Sequence, residues 1–230
     1  MEAPIFALDF AAANVNLGSS YLLVGTDSYL VDKVIETIKK KLKKKENIDT
    51  FIIYGDDVKS SELADILDTY TIFSSAKLVI LKNAEQLNKY ELKTLSSYFS
   101  SPSEIQSLAI ATEKIDLHNE SWKQIKAHST IINCESPRYG GAIRSWLDKS
   151  LKDMNKTMTI KAIEEFINRI ELDYYYAANE LNKLDLLTTG RNRITEEDVM
   201  KSLGTTRTGT LIDFYRALGK KQEKQAIEAL

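Results

Sequence analysis

Between positions 21 and 135 the chain alternates two textures. Short, nearly continuous apolar runs at 21–25, 50–55, 77–82, 107–111 and 130–134 are rich in Ile, Leu and Val, the pattern of strands buried on both faces. Between them lie stretches with one apolar face at helical spacing, at 29–45, 61–68, 88–99 and, more briefly, 121–126. Strand and helix in alternation predict a parallel sheet with helices on both sides. Right-handed crossovers make it a doubly wound α/β domain with five parallel strands.

After Pro137 the strand pattern disappears. Ile143, Trp146, Leu147 and Leu151 share one helical face; Ile160, Ile163, Phe166, Ile167 and Ile170 share a second, behind Thr159 as cap. Ala177, Leu181 and Leu184 form a third that ends near Gly190. Thr195 and Asp198 resemble a capping box opening a fourth helix through Leu203. The rings of Tyr174, Tyr175 and Tyr176 cannot all face one core, which leaves at least one at the surface for a neighbouring domain or a partner. Residues 204–209 read as a linker. Beyond them Leu211, Phe214, Tyr215 and Leu218, then Ala226, Ile227 and Leu230, carry helical spacing to the last residue. The expected organisation is an α/β domain at 1–137, a small helical domain at 138–204, and at 205–230 the start of a further helical domain that has been cut away.

Charge narrows the function. The net charge is −2, with 15 Lys/Arg against 19 Asp/Glu before Pro137 and 16 against 14 after it. Neither part has the basic excess of a chain whose affinity comes from phosphate contacts. Cys134 is the only cysteine, so no internal disulfide forms, and its apolar strand makes it a small core residue rather than a nucleophile. The first residues have no signal-peptide pattern and no apolar run reaches membrane length. The expectation is a soluble, intracellular protein.

A phosphate-binding loop belongs between the first strand and helix, and here its positions are wrong. Counting from Gly25, the second glycine, the lysine and the metal-binding hydroxyl are replaced by Leu30, Val31 and Asp32. Thr26-Asp27-Ser28 instead suits a helix cap. The strand that should end in a metal-binding carboxylate ends in Lys82-Asn83, and Glu85 beyond it reads as a helix-entry or surface residue. His118 and His128 have no ligand partners at metal spacing and read as surface residues. No catalytic residue, metal site or cofactor is expected. The run Lys39 to Lys45 reads as the solvated, dipole-compensating end of a helix. Contact of Lys41, Lys43 and Lys44 with phosphate is the alternative. Tyr70-Thr71-Ile72-Phe73 places large apolar side chains on a connection between helix and strand, where they plug a partner's pocket or tuck beneath the sheet.

In order and spacing these residues resemble the delta subunit of the bacterial DNA polymerase III clamp loader. The likeness runs through Tyr21-Leu22-Leu23-Val24-Gly25 with Tyr29-Leu30, Thr71 to Ser75, and Lys77 to Asn83. It continues through Ser145-Trp146-Leu147, Glu180 to Leu184, Ile194 to Val199 and the helical pattern of 211–230. The resemblance implies an ATPase-like (AAA+) fold without ATP hydrolysis, a helical lid, and a collar domain that joins the other loader subunits. It implies a non-catalytic component of the polymerase III holoenzyme, a nucleotidyltransferase complex, in the cytoplasmic, nucleoid-associated replisome of a bacterium. Its partner would be the ring-shaped sliding clamp (the beta subunit), which it binds and opens; primer-template DNA is expected only within the full assembly. The family's clamp-binding element, a hydrophobic-x-Leu-Phe segment, falls here on Tyr70, Ile72 and Phe73, with Ile72 in place of the usual Leu and Tyr70 in place of an aliphatic residue. A degenerate AAA+ ATPase and a DNA-binding adaptor are the alternatives.

Overall fold

The structure, a computed structural model, describes residues 4–11, 15–44, 46–69, 74–136, 140–170 and 173–203. The chain divides into two compact units at the Ser136–Pro137 bond. In the first, β1 (Ile5–Phe6) and β2 (Ser20–Val24) are followed by α1 (Ser28–Lys43), β3 (Ile48–Tyr54), α2 (Ser60–Asp68) and β4 (Ala76–Lys82). Then come α3 (Lys89–Tyr98), β5 (Gln106–Thr112), α4 (Glu120–Ala127) and β6 (Thr130–Asn133). The strands form one six-stranded sheet in the order β1-β6-β2-β5-β4-β3, parallel at every pairing.

The doubly wound parallel sheet is as predicted, with one strand added. β1 has only two residues, too few to show a period, and it borrows its order from β6 by pairing Ile5 with Ile132. Topology decides which face each helix covers. The step from β2 to β3 runs one way across the sheet, whereas the steps from β3 to β4, β5 and β6 run the other way. Right-handed crossovers therefore set α1 on one face and α2, α3 and α4 on the other. The packing agrees: Leu63 and Leu67 of α2, Leu92 and Leu95 of α3, and Trp122 and Ile125 of α4 share a core with Leu22, Val79, Leu81, Leu108 and Ile110. Alternation along the strands turns Leu23, Leu78 and Ile80 to the opposite face. There α1 offers a buried stripe of Leu30, Val34, Ile35, Ile38 and Leu42. Because both faces are covered, every residue of β5 is buried.

The second unit contains α5 (Gly140–Asp153), β7 (Thr157–Met158), α6 (Ile160–Arg169), α7 (Tyr174–Leu187), β8 (Arg193–Ile194) and α8 (Glu196–Leu203). Ile143, Trp146, Leu147 and Leu151 are buried, as their spacing predicts, and the Trp146 ring lies 5.9 Å from that of Tyr174. Tyr175 is the exposed ring of the tyrosine run. Thr159 caps α6 by accepting from the Ala162 N–H at 3.2 Å. The second apolar face needs a correction. Ile160 is 73% exposed because it is the first helical residue, turned away from the core, and Ala162 is buried instead. The two-residue pair of β7 with β8 is also new, since elements that short leave no pattern. Asp198 completes its half of the capping box by accepting from the Thr195 N–H at 2.9 Å. The helical expectations for 205–230 lie outside the described residues.

Candidate functional site

The helices that follow the neighbouring strands β2 and β5 cover opposite faces of the sheet, and ligands of open α/β sheets bind beyond the strand C-termini at such a switch point. A shallow crevice of about 220 Å³ lies there, edged by Gly25, Val31, Asp32, Lys82, Asn83 and Glu113. That is below the range of roughly 300–1,000 Å³ usual for small-molecule sites.

Its loop is committed to the protein itself. The Gly25 N–H donates to the Thr112 carbonyl and the Asp27 N–H to the Cys134 carbonyl, both at 3.0 Å. The buried Asp27 carboxylate caps α1 through the Leu30 N–H at 3.0 Å, which bears out the capping expectation for 26–28. Closeness alone is enough to require Gly25. Its φ is +147°, and a Cβ would lie 2.2 Å from the carbonyl carbon and oxygen of Cys134. Burial, then the Asp27 carboxylate, pushes the Cys134 thiol up to about 12, so at neutral pH it is no nucleophile.

The side chains at the remaining loop positions complete the change. Leu30 is 4% exposed and sits in the stripe that α1 buries. Asp32 Oδ1 accepts from Lys82 Nζ at 2.7 Å, a half-exposed ion pair between the first helical turns of α1 and the end of β4. A phosphate-binding loop has its cation on the helix and its carboxylate on the strand; here the charges are exchanged. Glu85 accepts from the Glu113 N–H at 3.0 Å and ties the ends of β4 and β5 together. With Glu85 and Glu113 beside Asp32, the crevice offers a triphosphate three carboxylates and a lysine already in use.

The opposite edge of the sheet carries the other candidates. Helices in this fold run antiparallel to the strands, so α1 and α2 both end at the strand N-termini. Tyr70, Ile72 and Phe73 lie outside the described residues, but the chain is held on either side of them. Before them, the Thr69 N–H donates to the Asp65 carbonyl at 2.9 Å. After them, the Ser75 N–H donates to the Asn47 carbonyl at 3.1 Å and its hydroxyl to Glu46 at 2.7 Å.

Lys77, which opens β4, was not anticipated as anything but a strand residue. Only 3% exposed, it donates its ammonium to the carbonyls of Ile66 and Thr69, the latter at 3.0 Å, and lies 5.0 Å over the Phe51 ring. A cation at the C-terminal carbonyls of α2 compensates their partial charge. Burial lowers the Lys77 pKa, with Asp68 and Asp49 opposing. A lysine at the start of an otherwise apolar strand was the available signal, since a buried lysine needs partners. Lys41, Lys43 and Lys44 lie in the last turn of α1 and just beyond it, at this same edge. His118 and His128 are exposed, and no cluster of metal-ligating side chains occurs among the described residues. No described helix is long and apolar enough to cross a membrane.

Comparison with known proteins gives the family. The family "DNA polymerase III, delta subunit" matches residues 21–135. Among solved structures, the DNA clamp loader delta protein of Bacillus subtilis is similar, with a TM-score of 0.72 and 18% identity, over 94% of this chain and 67% of that one. A RuvB mutant of Thermotoga maritima has a TM-score of 0.55 at 17% identity, over 86% of this chain and 70% of its own. The same organism's RuvB Holliday junction branch migration motor has 0.52 at 15%, with the same coverage. At these identities the likeness shows fold alone. No curated protein matches by sequence. The family match spans the whole predicted strand-and-helix alternation, from the first residue of the Tyr21 run to the end of the sheet, and this chain belongs to the DNA polymerase III delta subunit family.

Proposed function

We propose that the chain is a clamp-loader delta subunit that binds the sliding clamp through Tyr70, Ile72 and Phe73 and helps to open the ring without hydrolysing ATP. The Asp32–Lys82 pair carries the second half of this reading, because it puts a carboxylate and a cation on the wrong sides of a nucleotide crevice. Family membership and the name of the Bacillus subtilis relative support the first half. The anchored residues Thr69 and Ser75 add to it, since they fix where the chain leaves and rejoins the fold on either side of Tyr70, Ile72 and Phe73 in sequence. An aromatic or aliphatic anchor entering a pocket is worth ~2 kcal/mol or more. To open a ring it need only bind the opened form more tightly than the closed one.

In this reading 1–137 is the AAA+-like domain, 138–204 the lid and 205–230 the beginning of the collar through which other loader subunits attach. Primer-template DNA is met inside the assembly, in the bacterial cytoplasm. Binding of the chain to its cognate clamp, beside an Ile72→Ala/Phe73→Ala variant of unchanged circular dichroism, tests the reading. Loss of roughly 30-fold in affinity is expected for one anchor and on the order of several hundred-fold for both. Equal binding by both sinks the anchor. A rise in melting temperature with excess Mg-ATP would instead favour a degenerate nucleotide-binding protein, since a ligand of the native state must stabilise it.

A further inference from the structure

The two edges of the sheet are unequal. β1 ends it with two residues, whereas β3 ends it with seven, Ile48–Tyr54, paired with β4 alone. The Gly55 N–H donates to the Lys82 carbonyl at 2.8 Å and the Ser75 N–H to the Asn47 carbonyl at 3.1 Å. The peptide groups of odd-numbered residues in this stretch therefore face β4. By alternation, the N–H and C=O groups of Ile48, Thr50, Ile52 and Tyr54 face outward. The Tyr54 carbonyl accepts from the Asp57 and Val58 N–H groups of the following turn, and among the described residues the other outward groups meet no partner.

Natural sheets guard such an edge with Pro, Lys, a bulge or a covering element. β3 has none of these. Its residues are Ile-Asp-Thr-Phe-Ile-Ile-Tyr, and its register with β4 runs unbroken from Ile48 opposite Ala76 to Tyr54 opposite Lys82. Neither helix layer closes over it. Phe51, on the face of α2, is 39% exposed, and Ile52 and Tyr54, on the face of α1, are 48% and 46% exposed.

Alternating donors and acceptors along a line are matched by another extended chain, and β3 can itself supply that chain. Two copies set antiparallel about a two-fold axis at Phe51 overlap from Ile48 to Tyr54, the register that uses the whole strand. Thr50 of one copy then exchanges both bonds with Ile52 of the second, and the reverse, while each Tyr54 N–H reaches the Ile48 carbonyl opposite. The two Phe51 rings meet at the closely spaced, non-hydrogen-bonded position, where cross-strand aromatic pairs stabilise a ladder. Asp49, the one charged residue of the strand, falls opposite Ile53, so no like charges are directly opposed within it. Beyond the strand, Lys43, Lys44 and Glu46 at one end would approach Asp56, Asp57 and Lys59 at the other. These signs are mixed, so charge neither drives nor forbids the pairing. Pairing of β3 with the β1 edge of another copy would find only two residues there.

We propose that β3 is a self-pairing edge through which two copies of this chain join their sheets, antiparallel and centred on Phe51. This is independent of the clamp-binding reading. Seven residues make a strip roughly 23 Å long. One sheet thick, it buries less than the ~800 Å² per partner of a standard interface. The pair is therefore weak and dependent on concentration, and the two-fold axis closes it at two copies.

Sedimentation velocity of the full chain from ~5 to ~500 µM tests it. Wild type should pass from one copy to two with a dissociation constant of roughly 10–100 µM, changing less than about threefold between ~50 mM and ~500 mM salt. Ile52→Pro removes an outward N–H from each copy and spares the bonds to β4. Ile52→Lys keeps that N–H and adds charge to the edge. Each should weaken the pair at least ~10-fold with circular dichroism unchanged; where proline alters the fold, the lysine variant decides. Phe51→Cys should form an intermolecular disulfide under mild oxidation, because the axis brings the two Cβ atoms within bonding range. Asp49→Cys should not, because its two copies lie roughly 13 Å or more apart. A wild type still monomeric at ~500 µM would overturn the proposal and leave the edge to a strand of a different protein. A dimer that both Ile52 variants leave unchanged would overturn it by placing the contact elsewhere. Crosslinking through Asp49→Cys in preference to Phe51→Cys would overturn the register. Mass that keeps rising beyond two copies would overturn the closed pair in favour of open-ended association.

Discussion

Replacing Gly25 by alanine separates a structural glycine from a phosphate-binding one. The new Cβ would stand 2.2 Å from the carbonyl carbon and oxygen of Cys134 and 2.5 Å from the Glu135 nitrogen, all backbone atoms that no rotamer change can move. Alanine would also hold a φ of +147°, a strain of about 1–3 kcal/mol. Relieving the overlap requires the β2 end and the β6 end to separate by about an ångström, at a cost of about 1–3 kcal/mol for overpacking. That separation also weakens the bonds from the Cys134 N–H to the Val24 carbonyl (2.7 Å) and from the Asp27 N–H to the Cys134 carbonyl. The loss should total about 3–5 kcal/mol, a large part of the roughly 5–15 kcal/mol of a folded domain. Each unit holds one of the two tryptophans, Trp122 in the first and Trp146 in the second. Urea unfolding read from Trp122 in a Trp146→Phe background should therefore report on the sheet. At an m-value near 2 kcal/mol/M the midpoint should fall by about 1.5–2.5 M. Gly190→Ala is the comparator, because Gly190 has a φ of +82° with nothing within 4 Å of the added carbon. It should cost only about 1 kcal/mol, read from Trp146 in a separate Trp122→Phe background. A Gly25→Ala protein within about 1 kcal/mol of its parent would refute the argument that closeness to β6 demands the glycine.

Three further outcomes follow from the same contacts. A double-mutant cycle of Asp32→Asn with Lys82→Met should give a coupling of about 0.5–1 kcal/mol, since both partners are partly solvated; a coupling that persists in molar salt would contradict that screening. Lys77→Met should destabilise the chain by about 2–4 kcal/mol in thermal unfolding, because carbonyls at the end of α2 lose their buried donor; a change below 0.5 kcal/mol (roughly the scatter of surface substitutions) would show the cation is dispensable. Asp198, held at about 2 mainly by its hydrogen bond to Arg191, has a folded pKa below its usual 3.8. Its contribution is full above the unfolded value and disappears as pH falls from about 4 towards 2. With Arg191 half exposed it should amount to on the order of 1 kcal/mol. The stability gap between wild type and Asp198→Asn, read from Trp146, should narrow across that window, and a constant gap would count against the pairing.

The sheet was legible because burial on both faces writes itself as continuous apolar runs, and β2 to β6 each fall within two residues of their predicted starts. What pattern cannot show is pairing at a distance. Asp32 and Lys82 were each recognisable as misfits, one in a loop and one at a strand end. That they neutralise each other across 50 residues of sequence is visible only once α1 and β4 are side by side. Lys77 was invisible for a related reason: its charge is satisfied by carbonyls, and carbonyls leave no mark in the sequence. The glycine at position 25 was legible as special but its reason was not, because the atoms that demand it belong to Cys134.

The exchanged charges at the crevice also constrain which sequences can be reached from this one. Asp32→Thr alone would leave Lys82 without its carboxylate. Lys82→Asp alone would put a new carboxylate beside Asp32, Glu85 and Glu113. Each single step towards a phosphate-binding loop therefore passes through an imbalance that only a second substitution corrects. Leu30→Gly adds a separate barrier, since it would remove a buried leucine and loosen the first turn of α1, at about 3–5 kcal/mol. A phosphate-binding loop could therefore be reached from this sequence only through steps that first cost folding stability.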